Sequence, residues 1–104
     1  MSDYEIILKP SKSNSLAVGW GNGYVALPPS HPYYDKPYEE IPVDVHGGLT
    51  YGKMATQLHF PSIPSNHYIV GFDTAHFGDS TSYWTRERVL EEAQSLQQQL
   101  KDLA

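Results

Sequence analysis

The sequence predicts an α+β fold: a mainly antiparallel sheet of short strands with a C-terminal amphipathic helix packed on it. Two observations carry that expectation. Short apolar runs alternate with Gly-, Pro- and Asn-rich breaks from Tyr4 to Phe72, and no helical segment long enough for a βαβ unit separates them. Only the stretch after Thr85 repeats its apolar residues with helical period. A chain of 104 residues suits a single domain, 1–104, with one core.

The elements follow in order. Tyr4 to Leu8 reads as a strand, and Lys9 to Ser15 as a polar loop. Leu16–Trp20 and Tyr24–Leu27 flank Gly21-Asn22-Gly23, and Asn-Gly between apolar runs signals a hairpin turn. Pro28 to Pro42 carries five prolines and three tyrosines, so it reads as a long extended loop. The rings of Tyr33, Tyr34 and Tyr38 either cover a sheet edge or offer a stacking surface for a ligand.

Ile41, Val43 and Val45 alternate with Asp44 and His46, as in a strand with one apolar face. Leu49–Tyr51 and Thr56–Phe60 are further runs, and residues 61–66 form a turn cluster. Tyr68, Val70 and Phe72 share one face of the next strand, with Ile69, Gly71 and Asp73 on the other. Six or seven short strands result. Thr85 is the expected helix cap, and Val89, Ala93, Leu96, Leu100 and Leu103 form one stripe, widened by Leu90. That stripe packs on the sheet in preference to a short coiled-coil seam, because it spans barely two heptads; a helix-mediated homodimer is the alternative.

Composition narrows function. The net charge is −5 and the seven Lys and Arg residues are scattered, so sequence-independent binding to a nucleic-acid polymer is not expected. A small anionic ligand or a protein partner fits better. The absence of cysteine excludes disulfides, thiolate zinc sites and cysteine nucleophiles. Met1 to Glu5 begins acidic, so no signal peptide is expected, and no apolar stretch approaches the ~20 residues of a membrane span. A cytosolic protein without membrane association is the expectation.

Candidate chemistry gathers at strand ends. His46 precedes Gly47-Gly48, where a missing Cβ allows close approach. Asp73 ends an apolar strand, with His76 and Asp79 following at intervals of three. Three functional readings use these residues. His46, Asp73, His76 and Asp79 could ligate a divalent metal, whose bound water would drive hydrolysis. His46 or His76 could act as a general acid or base oriented by an aspartate, with Asp73 in the same catalytic group. The same side chains could instead bind a polar ligand without chemistry, with Arg86 and Arg88 at the helix start holding an anionic group. A structural reading stands beside them: Asp73 and Asp79 as turn residues satisfying backbone amides. No G-x-S-x-G elbow, dinucleotide fingerprint or Walker A sequence is present.

The segments "GYVALPPSHPYYDKPYEEIPVDVHGGLTYG" and "YIVGFDTAHFGDS", with the closing amphipathic helix, resemble small proteins encoded in phage and prophage genomes. Those proteins share GYV-LP-HP-Y, VHGGLT and GFD-AH-GD segments in that order. The resemblance covers roughly residues 23–100 and matches at Tyr24, His46, Gly47, Gly48, Asp73, His76 and Asp79; Tyr68 stands where tryptophan is expected. It implies a phage origin and a host-cytosol setting, and no particular activity. Small phage accessory proteins often counter host defence. The reading that results is a counter-defence protein that sequesters a small nucleotide-like ligand. His46, Asp73, His76 and Asp79 would form its polar wall, Tyr33, Tyr34 or Tyr38 would stack, Arg86 or Arg88 would meet phosphate, and Tyr24, Gly47 and Gly48 are further ligand-binding candidates. Asp79 and Glu87 would repel an anion unless they point away or hold a metal. The alternatives are a metal- or His/Asp-dependent hydrolase of a phosphodiester-type bond, and a protein inhibitor of a host defence enzyme.

Overall fold

The computed structural model describes residues 3–12 and 16–104. Strands β1 (Ile6–Pro10), β2 (Gly21–Leu27), β3 (Tyr51–Met54) and β4 (Tyr68–Phe72) form one sheet in the order β1-β2-β4-β3, antiparallel throughout. A 3-10 turn covers Tyr38–Glu40, and helix α1 covers Arg86–Asp102. Among the described residues, no helix is long and apolar enough to cross a membrane.

Helix α1 packs on the sheet. The Thr85 hydroxyl caps it by accepting from the Arg88 amide at 3.3 Å. Val89, Ala93, Leu96 and Leu100 are buried against Val25, Leu27, Tyr68, Val70 and Phe72. Each fully buried side chain of this size stabilises by about 1.5–3 kcal/mol, which outweighs any helix propensity term. Strand β4 is buried on both faces, because Ile69 meets Tyr24, Ala26, Phe60 and Ile63 on the side away from the helix.

Among the described residues, four strands replace the expected six or seven, and Gly21-Asn22-Gly23 does not form the expected hairpin turn. Those residues open β2, with Gly21 paired to Pro10 and Gly23 paired to both Leu8 and Phe72. Packing explains the glycine: a Cβ on Gly23 would lie 2.8 Å from the Phe72 ring and 3.2 Å from the Ala93 Cβ. The glycine is there to admit a ring, not to turn the chain. The β1–β2 connection runs through residues 11–20, with Ser11 donating to the Trp20 carbonyl at 2.7 Å. Residues 13–15, part of the expected polar loop, lie outside the described residues.

The alternating segment from Ile41 to His46 joins no strand: the Val43 amide donates to the Ile41 carbonyl at 2.9 Å, and His46 opens a turn. Ile41 and Val45 are buried and Asp44 is exposed, as the alternation predicts. Its backbone partner is a side chain. Gln99 Oε1 accepts from the Asp44 amide at 2.7 Å and Gln99 Nε2 donates to the Asp44 carbonyl at 2.9 Å. One carboxamide thus offers both hydrogen bonds that a neighbouring strand would supply. Thr56–Phe60 is a turn whose Phe60 alone is buried.

The proline-rich loop wraps the far end of the sheet. The Tyr34 hydroxyl donates to the Asn66 carbonyl and the Tyr68 hydroxyl to the Lys36 carbonyl, each at 2.6 Å. Buried His31 accepts from the Tyr33 amide at Nδ1, so its Nε2 carries the proton and caps the Leu100 carbonyl at the helix C-terminus, 2.7 Å away.

Candidate functional site

The chain leaving β4 folds into a turn tied by its own aspartates. Asp73 Oδ1 accepts from the Ala75 amide at 3.1 Å. Asp79 Oδ2 accepts from the His76 amide at 2.8 Å, and the Asp79 amide returns a bond to the His76 carbonyl at 2.9 Å. Gly78, with φ of +91°, closes the turn. The carboxylates therefore hold the backbone, as the structural reading expects, and this does not use up their second oxygens.

His46 reaches the same place from the segment clamped by α1. Glu92 Oε2 accepts its amide at 2.6 Å. Its ring lies 4.4 Å from the Trp84 ring and edge-on to the His76 ring at 5.2 Å. His46 Nε2 contacts Asp79 Oδ1 at 2.8 Å, so a neutral His46 carries its proton on Nε2. The glycine pair explains how two imidazoles fit. Gly47 has φ of +71°, and a Cβ there would lie 2.3 Å from His76 Cε1 and 2.4 Å from its Nε2; Gly48 has φ of +78° and faces open space. What approaches the bare backbone of Gly47 is the His76 side chain.

His46, Asp73, His76 and Asp79 thus come together beyond the end of β4. The Asp79 side chain is 5% exposed, against 28% for His46, 32% for His76 and 33% for Asp73. Asp79 is the buried anchor and the other three face outward. Burial pushes the Asp79 carboxyl up, but the His76 amide and the His46 ring outweigh it and hold the group below the usual aspartate range. His76 Nδ1 is shielded from water and makes no hydrogen bond, although Asp73 Oδ1 and Asp79 Oδ2 each lie 3.4 Å away. His46, His76 and Asp79 can each bring one ligand atom within 4.8 Å of the others, a donor set able to hold a metal ion.

The other expected site residues lie elsewhere. Tyr33, Tyr34 and Tyr38 sit with Tyr68, His31 and Gly52, around the start of β4 and the end of α1. Tyr68 likewise stands at the far end of β4 from Asp73, and Trp84 supplies the ring beside the cluster. Arg86 lies 5.8 Å over Trp20. Arg88 lies 4.3 Å over Tyr83, which meets Trp84 edge-on, so two rings separate it from His46. The hollow at the helix start sets Arg88 against Glu87 and Glu91, a net negative lining.

Tyr24 lines a groove on the sheet face opposite the helix. One part, about 440 Å³, is bounded by Lys9, Lys12, Asn22, Tyr24, Asp73 and Ala75 among others. The adjoining part, about 310 Å³, shares Lys9 and Tyr24 and adds Tyr51, Lys53, His59 and Phe60. Lys9 bonds the His59 carbonyl and lies 4.1 Å over the Phe60 ring, tying the 56–60 turn to β1. Asp73 borders both this groove and the His/Asp cluster.

Sequence reasoning missed Trp84, Glu92 and the groove lysines. Trp84 precedes the helix cap with no periodic signal, and Glu92 sits off the apolar stripe where solvated glutamates are ordinary. The lysines are scattered in sequence and meet only through strand pairing. No family model, curated protein or solved structure matches the chain.

Proposed function

We propose that the chain binds a small anionic, nucleotide-like ligand in the groove on the helix-free face of its sheet. The observation that carries this is a concentration of charge. Three of the seven cations of a chain with net charge −5 edge two neighbouring hollows: Lys9 and Lys53 line one with Tyr24, Tyr51 and Phe60, and Lys9 and Lys12 line the other with Tyr24 and Asn22. Rings offer stacking to a base and ammonium groups offer charge to phosphate, which is the chemistry a nucleotide requires. The phage resemblance supplies the setting: a counter-defence protein in the host cytosol that withholds a nucleotide signal. The stacking residue of this reading is half-buried Tyr51, with buried Tyr24 packed edge-on against it, and not the tyrosines of the proline-rich loop.

Calorimetric titration with adenosine monophosphate, adenosine and inorganic phosphate tests the reading. The mononucleotide binds more tightly than either fragment, and Lys9→Ala, Lys12→Ala and Lys53→Ala each weaken it by roughly tenfold, about 1.4 kcal/mol. Ligand recovered by heating protein from infected cells is unmodified. Failure of every nucleotide to bind, with a stoichiometric host protein recovered in its place, overturns the reading and favours the inhibitor alternative. Turnover of the recovered ligand favours the hydrolase alternative, for which the His46–Asp79 pair near the Asp73 end of the groove speaks.

A further inference from the structure

We infer that His46, Asp73, His76 and Asp79 form a binding site for one divalent cation of the zinc type. The inference goes beyond the groove reading and stands without it. Its first support is His76 Nδ1. A buried ring nitrogen without a partner costs about 1–3 kcal/mol, so its isolation calls for a reason. Two carboxylate oxygens lie 3.4 Å from it, too far for the charge-assisted hydrogen bonds of about 2.7–2.9 Å that an imidazolium would form. The same separation is the edge of a tetrahedron whose centre lies about 2.0–2.1 Å from each donor, the bond length of zinc to imidazole nitrogen and carboxylate oxygen.

The second support is the supply of donors. His46, His76 and Asp79 each offer one ligand atom within 4.8 Å of the others, and Asp73, whose Oδ1 lies 3.4 Å from His76 Nδ1, adds a carboxylate beside them; two imidazoles and two carboxylates are a set suited to zinc. Two carboxylates against two neutral imidazoles leave a local charge that a divalent ion balances. The surroundings also resemble those of ligating side chains elsewhere. Trp84 backs the His46 ring, Glu92 holds the His46 amide, and the His76 and Ala75 amides fix the two carboxylates. For His46 to coordinate through Nε2 as a neutral imidazole, its proton shifts from Nε2 to Nδ1 as the ion enters. With the ion in place, the charge at the Asp73 end of the groove is neutralised and no longer repels an anion.

The test titrates the full chain, after dialysis against chelator, with Zn²⁺ by calorimetry and with Co²⁺ by visible absorption. One equivalent of Zn²⁺ binds, and Co²⁺ develops the intense ligand-field bands of a four-coordinate site. His76→Ala and Asp73→Asn each lower Zn²⁺ affinity at least about tenfold, while Glu40→Gln, at an exposed carboxylate outside both the cluster and the groove, leaves it unchanged. Asp73 is half-exposed, so its variant keeps the fold, which circular dichroism verifies. No saturable uptake, or equal uptake by the His76 and Asp73 variants, overturns the inference. Zinc uptake without nucleotide binding removes the groove reading and leaves this one intact.

Discussion

His46 and Asp79 are separated by 33 positions in the chain, and their side chains meet at 2.8 Å between Nε2 and Oδ1. That contact joins the segment clamped on α1 to the turn after β4. Because Asp79 also accepts the His76 amide, one buried carboxylate holds both imidazoles in place.

Removing that carboxylate should loosen the region before any ligand is considered. Asp79→Ala strands the His76 amide and frees the His46 ring. Bonds to a charged acceptor are worth about 1.5–3 kcal/mol each, and the His46 ring, 28% exposed, regains water for part of its share, so a destabilisation of about 2–4 kcal/mol is expected. Asp79→Asn keeps an acceptor oxygen and loses about half as much. Urea unfolding of the metal-free chain, followed by tryptophan emission, reads both; equal stability of Asp79→Ala and the parent chain contradicts the anchoring role.

The two glycines after His46 should behave differently although they are neighbours. Both have positive φ, so alanine at either position costs about 1–2 kcal/mol in backbone strain. Only at Gly47 does the new methyl also collide with His76. Gly47→Ala therefore displaces the His76 ring and moves its imidazole proton resonances, whereas Gly48→Ala lowers stability by a similar backbone amount and leaves that ring where it is. Identical His76 spectra for both variants would contradict the packing described.

Alkaline pH should weaken the far end of the sheet. Burial pushes the Tyr68 hydroxyl above its usual ionisation, with the Asp35 and Glu39 carboxylates adding to the shift. A group whose folded pKa is raised contributes stability that is fully present below the unfolded value, about 10 for tyrosine. That stability is lost as pH rises from there through the raised folded value. Tyr51 and Tyr4 are raised by burial in the same sense. Chemical unfolding at stepwise alkaline pH is expected to show the loss. Tyr68→Phe gives up the bond to the Lys36 carbonyl, about 1 kcal/mol at neutral pH, and flattens the alkaline decline. An unchanged decline would remove Tyr68 as its cause.

Wherever a pattern is local, it was legible. The Val89–Ala93–Leu96–Leu100 stripe and the Thr85 cap need only residues three or four apart, and the helix forms where they place it. The β4 alternation separates Phe72 from Ile69 for the same reason, with the period of the backbone deciding the face. The Asn-Gly element misled because glycine serves two needs with one signature. At position 23 the need is room for Phe72, which lies 49 residues further along the chain. The alternation of residues 41–46 correctly marks Ile41 and Val45 as buried, but could not say that Gln99 would take the place of a strand.

The chain's own periodicities determined an α+β fold with a sheet-packed terminal helix, because side-chain direction repeats with backbone geometry. Tertiary structure alone decided that Asp73, His76 and Asp79 would meet His46, and that Lys9, Lys12 and Lys53 would share a groove. Those meetings depend on which strands pair and which loop an amide or carboxamide captures. Such choices are made by contacts between residues far apart in sequence, and no local spacing records them.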